Sequence, residues 1–167
     1  MDKIAAVLVA SDSRSGGQRA DLTGPAAAAA LAEIGIGVAE IAVVPDETGP
    51  IAAQLRAWAE RGDLLLAITA GGTGLGPRDV TPEATRSVIE REVPGIAELV
   101  RLRGLDVTPH AALSRGVAGI RGRMLIVNLA GSPRAVREGI GFLAPLLPHA
   151  LQTVSGRAVE CARKDVS

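Results

Sequence analysis

The sequence predicts an α/β fold, a three-layer α/β/α sandwich in which helices cover both faces of a mostly parallel sheet. Two observations carry that prediction. Short apolar runs of strand length alternate with helical patterns along the chain, the order that builds parallel sheets. Each strand-like run then leads into a polar, often glycine-rich segment, while helix starts carry a cap residue and a proline, as in Thr81-Pro82 and Ser132-Pro133.

Ile4 to Ala10 (IAAVLVA) opens the series as a short run suited to a strand buried on both faces. Pro25 to Ile34 (PAAAAALAEI) is helical by alanine propensity and stops at Gly35. Val38 to Val44 reads as the second strand, Pro50 to Arg61 as the second helix ended by Gly62, and Leu64 to Thr69 (LLLAIT) as the third strand. Helices follow from about Pro82 to Glu90 and from Gly95 to Arg103. After a polar connection, Val117 to Ile120 reads as a short extra strand ahead of Met124 to Asn128 (MLIVN). The last helix runs from Pro133 to about Leu147, in a region that Pro145 and Pro148 break up. No linker or low-complexity tract splits the 167 residues, so one domain over 1–167 is expected.

Apolar residues make up 47% of the chain, enough for a core and against intrinsic disorder. Eighteen Lys and Arg balance eighteen Asp and Glu, and there is one Trp, one Phe and no Tyr. Neither a basic excess nor a stacking platform exists, so nucleic acid is not an expected partner. The single cysteine, Cys161, excludes an internal disulfide and a cysteine-rich zinc site, fits a reducing compartment, and reads as a bystander thiol. The first apolar stretch suits a buried strand better than a signal peptide, and no stretch nears the roughly 20 apolar residues of a membrane span. A cytoplasmic protein with no membrane partner is expected. Trp58, on an amphipathic helix, is expected in the core.

In open α/β sheets, ligands bind beyond the carboxyl ends of the strands. Ser11-Asp12-Ser13-Arg14-Ser15-Gly16-Gly17 follows the first strand and Pro45-Asp46-Glu47-Thr48-Gly49 the second. Residues 69–85, TAGGTGLGPRDVTPEAT, follow the third, and Leu129-Ala130-Gly131-Ser132-Pro133 follows MLIVN. If all four strands run parallel, these segments meet on one edge. The glycine run lacks the lysine of a P-loop, and Pro77 stands where a dinucleotide-binding helix would begin. What it offers is a nest of backbone N–H groups able to cradle phosphate oxygens. Asp79 beside it suits Mg2+, held by one carboxylate plus substrate phosphates. Arg78 has three readings: a phosphate partner, a salt bridge to Asp79, or one to Glu83. His110 and His149 lie outside these loops and read as structural or solvated residues rather than general bases.

TAGGTGLGPRDVTPEAT resembles the signature of the molybdenum-cofactor nucleotidyl-transfer proteins of the Mog/MoaB type, T-x-G-G-T-G followed by R-D-x-T-P-E-A. SDSRSGGQRADLTGP resembles that family's first loop, VVPDE its second, ALSR at Ala112 to Arg115 its later serine motif, and VNLAGSPRAVREG its last strand-loop-helix. The likeness spans nearly the whole chain with the motifs in order. Ala70 stands where the family often has Thr or Ser, Ala130 where it often has Pro, and Ser-Asp-Ser-Arg replaces the commoner Ser-Asp-Arg.

The resemblance implies a MogA-like fold and a molybdopterin adenylyltransferase. AMP would pass from ATP to the terminal phosphate of molybdopterin, giving adenylyl-molybdopterin and pyrophosphate, with Mg2+ as cofactor. A relative that binds molybdopterin without turning it over is the alternative. Such a transfer needs positioning and charge neutralisation but no protein nucleophile, in keeping with a sequence that offers no triad. By resemblance, Asp79 would bind the metal and Asp46 would be the second essential carboxylate, with helix-start stabilisation as its competing role. Gly71, Gly72, Thr73 and Gly74 would hold phosphate through backbone N–H, with Arg78 beside them. Ser11 and Asp12 would line the nucleotide side, and Ser114 and Asn128 the pterin or phosphate side. Gly131 and Ser132 would close the pocket, although Ser132 also suits a helix cap. A homotrimer and hand-over of product to a molybdopterin molybdotransferase complete what the resemblance implies.

Overall fold

Six strands form one sheet in a computed structural model that describes residues 2–156: β1 (Lys3–Ala10), β2 (Gly37–Val44), β3 (Leu66–Ala70), β4 (Arg91–Glu92), β5 (Ala118–Arg121) and β6 (Met124–Leu129). Their order is β2-β1-β3-β6-β5-β4. β2, β1, β3 and β6 are parallel, while β5 pairs antiparallel with both β6 and β4. The helices are α1 (Asp12–Ser15), α2 (Thr23–Glu33), α3 (Thr48–Arg61), α4 (Thr81–Arg86), α5 (Pro94–Leu105), α6 (Pro133–Leu143) and α7 (Leu147–Val154), with a 3-10 turn at Pro109–Leu113.

Alternation along β1 shows why strands here are apolar throughout. Ala5, Val7 and Val9 pack with α2, α5, α6 and α7, whereas Ala6, Leu8 and Ala10 pack with α3 and α4. From β1 the chain steps to β2 on one side, then returns past β1 to β3 on the other. Right-handed crossovers taken in opposite directions place their helices on opposite faces, and α2 and α3 do lie in different cores. The loops leaving β1 and β3 therefore turn toward opposite faces at the carboxyl edge, where ligands bind in sheets of this kind. Glycines let the strand ends close in beneath that edge. A Cβ on Gly71, at φ +107°, would collide with the Ala10 carbonyl oxygen, and one on Gly131 would lie 2.8 Å from Gly71 Cα.

Several boundaries differ from the sequence expectation. The helix expected over 82–90 ends at Arg86, and the chain turns toward β4, a strand too short to show any periodicity. The helix expected over 133–147 is two helices; α6 stops at Leu143, and α7 restarts with Pro148 in its first turn, where the missing N–H is not needed. The extra strand exists as β5, but it is antiparallel because only Gly122 and Arg123 separate it from β6. Trp58 is 1% exposed, in the core against β1 and β3 as expected. Cys161 lies outside the described residues. Among those described, no helix is long and apolar enough to cross a membrane.

Candidate functional site

The first three strand-end loops are tied together through one carboxylate. Ser11 N–H donates to the Val44 carbonyl at 2.9 Å, extending the β1–β2 pairing past the sheet. Beyond it, Asp46 N–H donates to Asp12 Oδ1 at 2.9 Å and Asp12 N–H donates to Asp46 Oδ2 at 3.0 Å. From the third loop, Arg78 Nη2 reaches Asp12 Oδ1 and Oδ2 at 2.9 and 2.8 Å, and its Nε donates to Oδ2 at 3.1 Å. Neither salt bridge expected for Arg78 forms; its partner is Asp12, 66 positions away, and Glu83 pairs elsewhere. The Asp46 N–H and then Arg78 hold the Asp12 carboxyl below its ordinary value. Asp46 moves the other way. Burial pushes its carboxyl up, the Asp12 N–H offsets part of that, and the charges of Asp12 and Asp79 push it further.

The glycines of the third loop make room for protein groups. Gly76 N–H donates to Asp79 Oδ2 at 2.7 Å, and Asp79 N–H returns to the Gly76 carbonyl at 3.0 Å. A Cβ on Gly74 or Gly76 would sit 2.9 or 2.8 Å from Asp79 Oδ2, so the loop wraps the carboxylate. At Gly72, with φ +63°, a Cβ would run into Thr81 Oγ1 and come within 3.4 Å of Asp46 Oδ1. One expected phosphate donor is corrected here: Gly71 N–H already donates to the Leu129 carbonyl at 3.1 Å, continuing the β3–β6 ladder.

Arg115, in the serine motif but absent from the expected site, clasps this loop. Its backbone N–H donates to Thr73 O at 2.9 Å, Nε to Gly74 O at 2.7 Å and Nη2 to Asp79 O at 2.6 Å. The same guanidinium grips both oxygens of Glu83, at 2.5 and 3.3 Å, and holds that carboxyl below its usual range. A planar, five-donor group suits such a junction.

Thr73 and Gly74 also border a cavity of about 300 Å³ together with Ser114, Asn128, Leu113 and Phe142. The Ser114 hydroxyl accepts from Gly116 N–H at 3.3 Å and lines this space. Asn128 lines it too, but its side chain is committed. The amide donates to Thr69 Oγ1 at 2.8 Å and Thr85 Oγ1 at 2.9 Å, while Oδ1 accepts from Val117 N–H at 3.2 Å. At 4% exposure it is a buried bracket between β3, β6 and the end of α4, and not the ligand contact expected of it. His110 lies on the cavity wall, contrary to its expected position away from the site, because the 3-10 turn folds it there. His149 stays exposed on α7. Ser132 caps α6, accepting from Ala135 N–H at 3.1 Å, and the Gly131 carbonyl accepts from Thr23 Oγ1 at 2.8 Å. A second cavity, about 380 Å³, shares Ser114, but Arg101 there donates to the Ser114 and Gly116 carbonyls and so serves the fold.

Asp46 and Asp79 are the carboxylates here that could hold a divalent cation of the hard, oxygen-seeking kind. Burial and then like charge raise Asp46, and a cation would offset that like charge. Among the described residues no group of three or more His, Cys, Asp or Glu forms a cage, so substrate phosphates would complete the shell, as Mg2+ commonly requires.

Comparison with known proteins agrees with this architecture. Residues 6–149 match the family model described as "Probable molybdopterin binding domain". The chain is 47% identical over 122 residues to the Drosophila melanogaster molybdenum cofactor synthesis protein cinnamon, covering 73% of this chain but only 20% of that protein. It is 37% identical over 162 residues to a molybdopterin adenylyltransferase of Helicobacter pylori, covering 96% of this chain and 92% of the relative. Among solved structures, the molybdopterin biosynthesis enzyme MoaB of Thermus thermophilus is 54% identical, with a TM-score of 0.86 over 92% of this chain and 96% of that one.

Proposed function

The chain belongs to the molybdopterin-binding-domain family, and on that premise we propose that it is a molybdopterin adenylyltransferase. It would transfer AMP from ATP to the terminal phosphate of molybdopterin and release pyrophosphate. The observation that carries the reading is the position of Thr73 and Gly74. They belong to the loop that wraps Asp79, and they also wall the cavity that holds Ser114. One loop thus links the Asp79 carboxylate to the cavity, as a reaction joining two phosphorylated substrates requires.

In this reading the triphosphate lies at the carboxyl edge over Asp12, Asp46, Arg78 and Asp79, along Ser11 and the N–H groups of Gly72, Thr73 and Gly74. The pterin occupies the cavity, with Ser114 at its phosphate and Gly131 behind the junction. Asp79 and Asp46 would hold Mg2+, which when bound would supply charge neutralisation at the phosphates. A pterin phosphate oxygen forms a bond to the α-phosphorus, the bond from that phosphorus to the bridging oxygen breaks, and pyrophosphate leaves with the electron pair. The chain's task is to align two anions that repel each other, through fixed N–H groups and a pre-placed Arg78. Asp12 keeps Arg78 extended across that edge, and Arg115 keeps the loop shaped around Asp79. The same reading includes a single domain over 1–167, a homotrimer, a cytoplasmic location and delivery of product to a molybdopterin molybdotransferase.

The test is incubation of purified protein with molybdopterin and Mg-ATP. Formation of adenylyl-molybdopterin and pyrophosphate in equal amounts supports the reading. Molybdopterin binding without product would identify a binding protein instead.

A further inference from the structure

We infer that Glu138 selects the heterocycle admitted to the cavity, by accepting the paired N–H donors of a 2-amino-4-oxo pyrimidine edge. The inference rests on the proposal that the cavity is the pterin side of the site, and it names the residue that reads the ring. α6 turns Ala135, Glu138, Gly139 and Phe142 toward this space, the i, i+3, i+4 and i+7 positions of one helix face. Gly139 draws the helix in, because a Cβ there would meet the Leu129 side chain at 2.9 Å. Phe142, the only phenylalanine of the chain, and the apolar wall formed by Leu113 suit the flat face of a ring.

Among the residues lining that wall, Glu138 is the only carboxylate. Arg134 Nε donates to its Oε1 at 2.7 Å, one turn back along the helix, which restrains the group. Each carboxylate oxygen has two acceptor positions, so capacity remains for a ligand. A pterin presents N3–H and its 2-amino group side by side, a donor pair that matches two carboxylate oxygens as a guanidinium does. A lumazine carries a carbonyl oxygen in place of that amine. The same carboxylate would then face an acceptor, and the pairing fails.

The test titrates the purified protein with a pterin and with the lumazine bearing the same 6-substituent, following ring fluorescence. Wild type and Glu138→Gln are compared, with Mg-ATP binding as the check on the nucleotide side. Wild type is expected to favour the pterin by on the order of tenfold or more. Glu138→Gln should abolish or reverse that preference, since its amide donates to a 2-oxo group, and should leave Mg-ATP binding intact. A wild-type preference that persists in Glu138→Gln overturns the role of Glu138 but leaves the pterin side standing, as does equal wild-type binding of both rings. Binding of neither ring by wild type overturns the pterin-side reading itself. Parallel loss of Mg-ATP binding in the variant would make Glu138 merely structural.

Discussion

Asp12 and Asp46 hold each other's backbones, each carboxylate accepting the other's N–H at 2.9 and 3.0 Å. Two acidic groups are thereby fixed in register across the ends of neighbouring strands. Arg78 pairs with Asp12, while Asp46 is raised by burial and by the charges of Asp12 and Asp79. In the proposed reaction these carboxylates have different tasks: Asp12 places Arg78 and Asp46 meets the cation.

Asp12→Asn separates those tasks. Its amide oxygen can still accept from Asp46 N–H, but the charge that extends Arg78 is gone. Product formation is expected to fall about tenfold or more, the scale of a lost charge-assisted pair at a phosphate site. Thermal unfolding should stay close to wild type, because both side chains are solvent-exposed. Activity equal to wild type would remove Asp12 from the machinery.

Acid should loosen the clasp at Glu83. Arg115 holds this carboxyl below the ordinary 4.5, so its contribution to stability is complete above that value and is lost as pH falls through the depressed folded value. Melting temperatures of wild type and Glu83→Gln, taken across that acid range, should therefore converge as pH falls. A difference that stays constant to strong acid would contradict the clasp.

Gly71 and Gly76 should fail in different ways when changed to alanine. At Gly71 the added Cβ meets the Ala10 carbonyl from a positive φ, and stability should fall by about 2 kcal/mol or more. At the exposed Gly76 it displaces only the Asp79 carboxylate, so activity should fall while the urea midpoint changes little. Paired denaturation and product assays check both.

Asn128→Leu should cost stability, since it strands the Thr69 and Thr85 hydroxyls and the Val117 N–H in the interior. About 2–4 kcal/mol is expected from urea unfolding. A loss below about 1 kcal/mol would show that the bracket is dispensable.

Apolar runs and helix starts were legible in the sequence because burial on both faces and proline-marked caps leave local patterns. The parallel core and its carboxyl-edge loops followed from them. β4 was not legible, since two residues carry no period. The direction of β5 was written in the two-residue Gly122-Arg123 connection, a signal that composition alone hides. At the site, the acidic residues and the glycine loop stood out as residue types. Their pairings did not, because Arg78–Asp12 and Arg115–Asp79 join positions far apart in the chain. The resemblance puts Asn128 at the ligand, and only the positions of Thr69 and Thr85 reveal it as a bracket.

In the proposed reaction the loop of residues 71–79 presents Asp79 to the metal-bound triphosphate. The most direct test is adenylyl-molybdopterin formation from molybdopterin and Mg-ATP by wild type and Asp79→Asn, with ATP binding measured alongside. Asparagine can still accept from Gly76 N–H, so the loop should keep its shape. The account predicts product from wild type and a loss of about a hundredfold or more in the variant. An Asp79→Asn protein that binds ATP and turns over at the wild-type rate would contradict it.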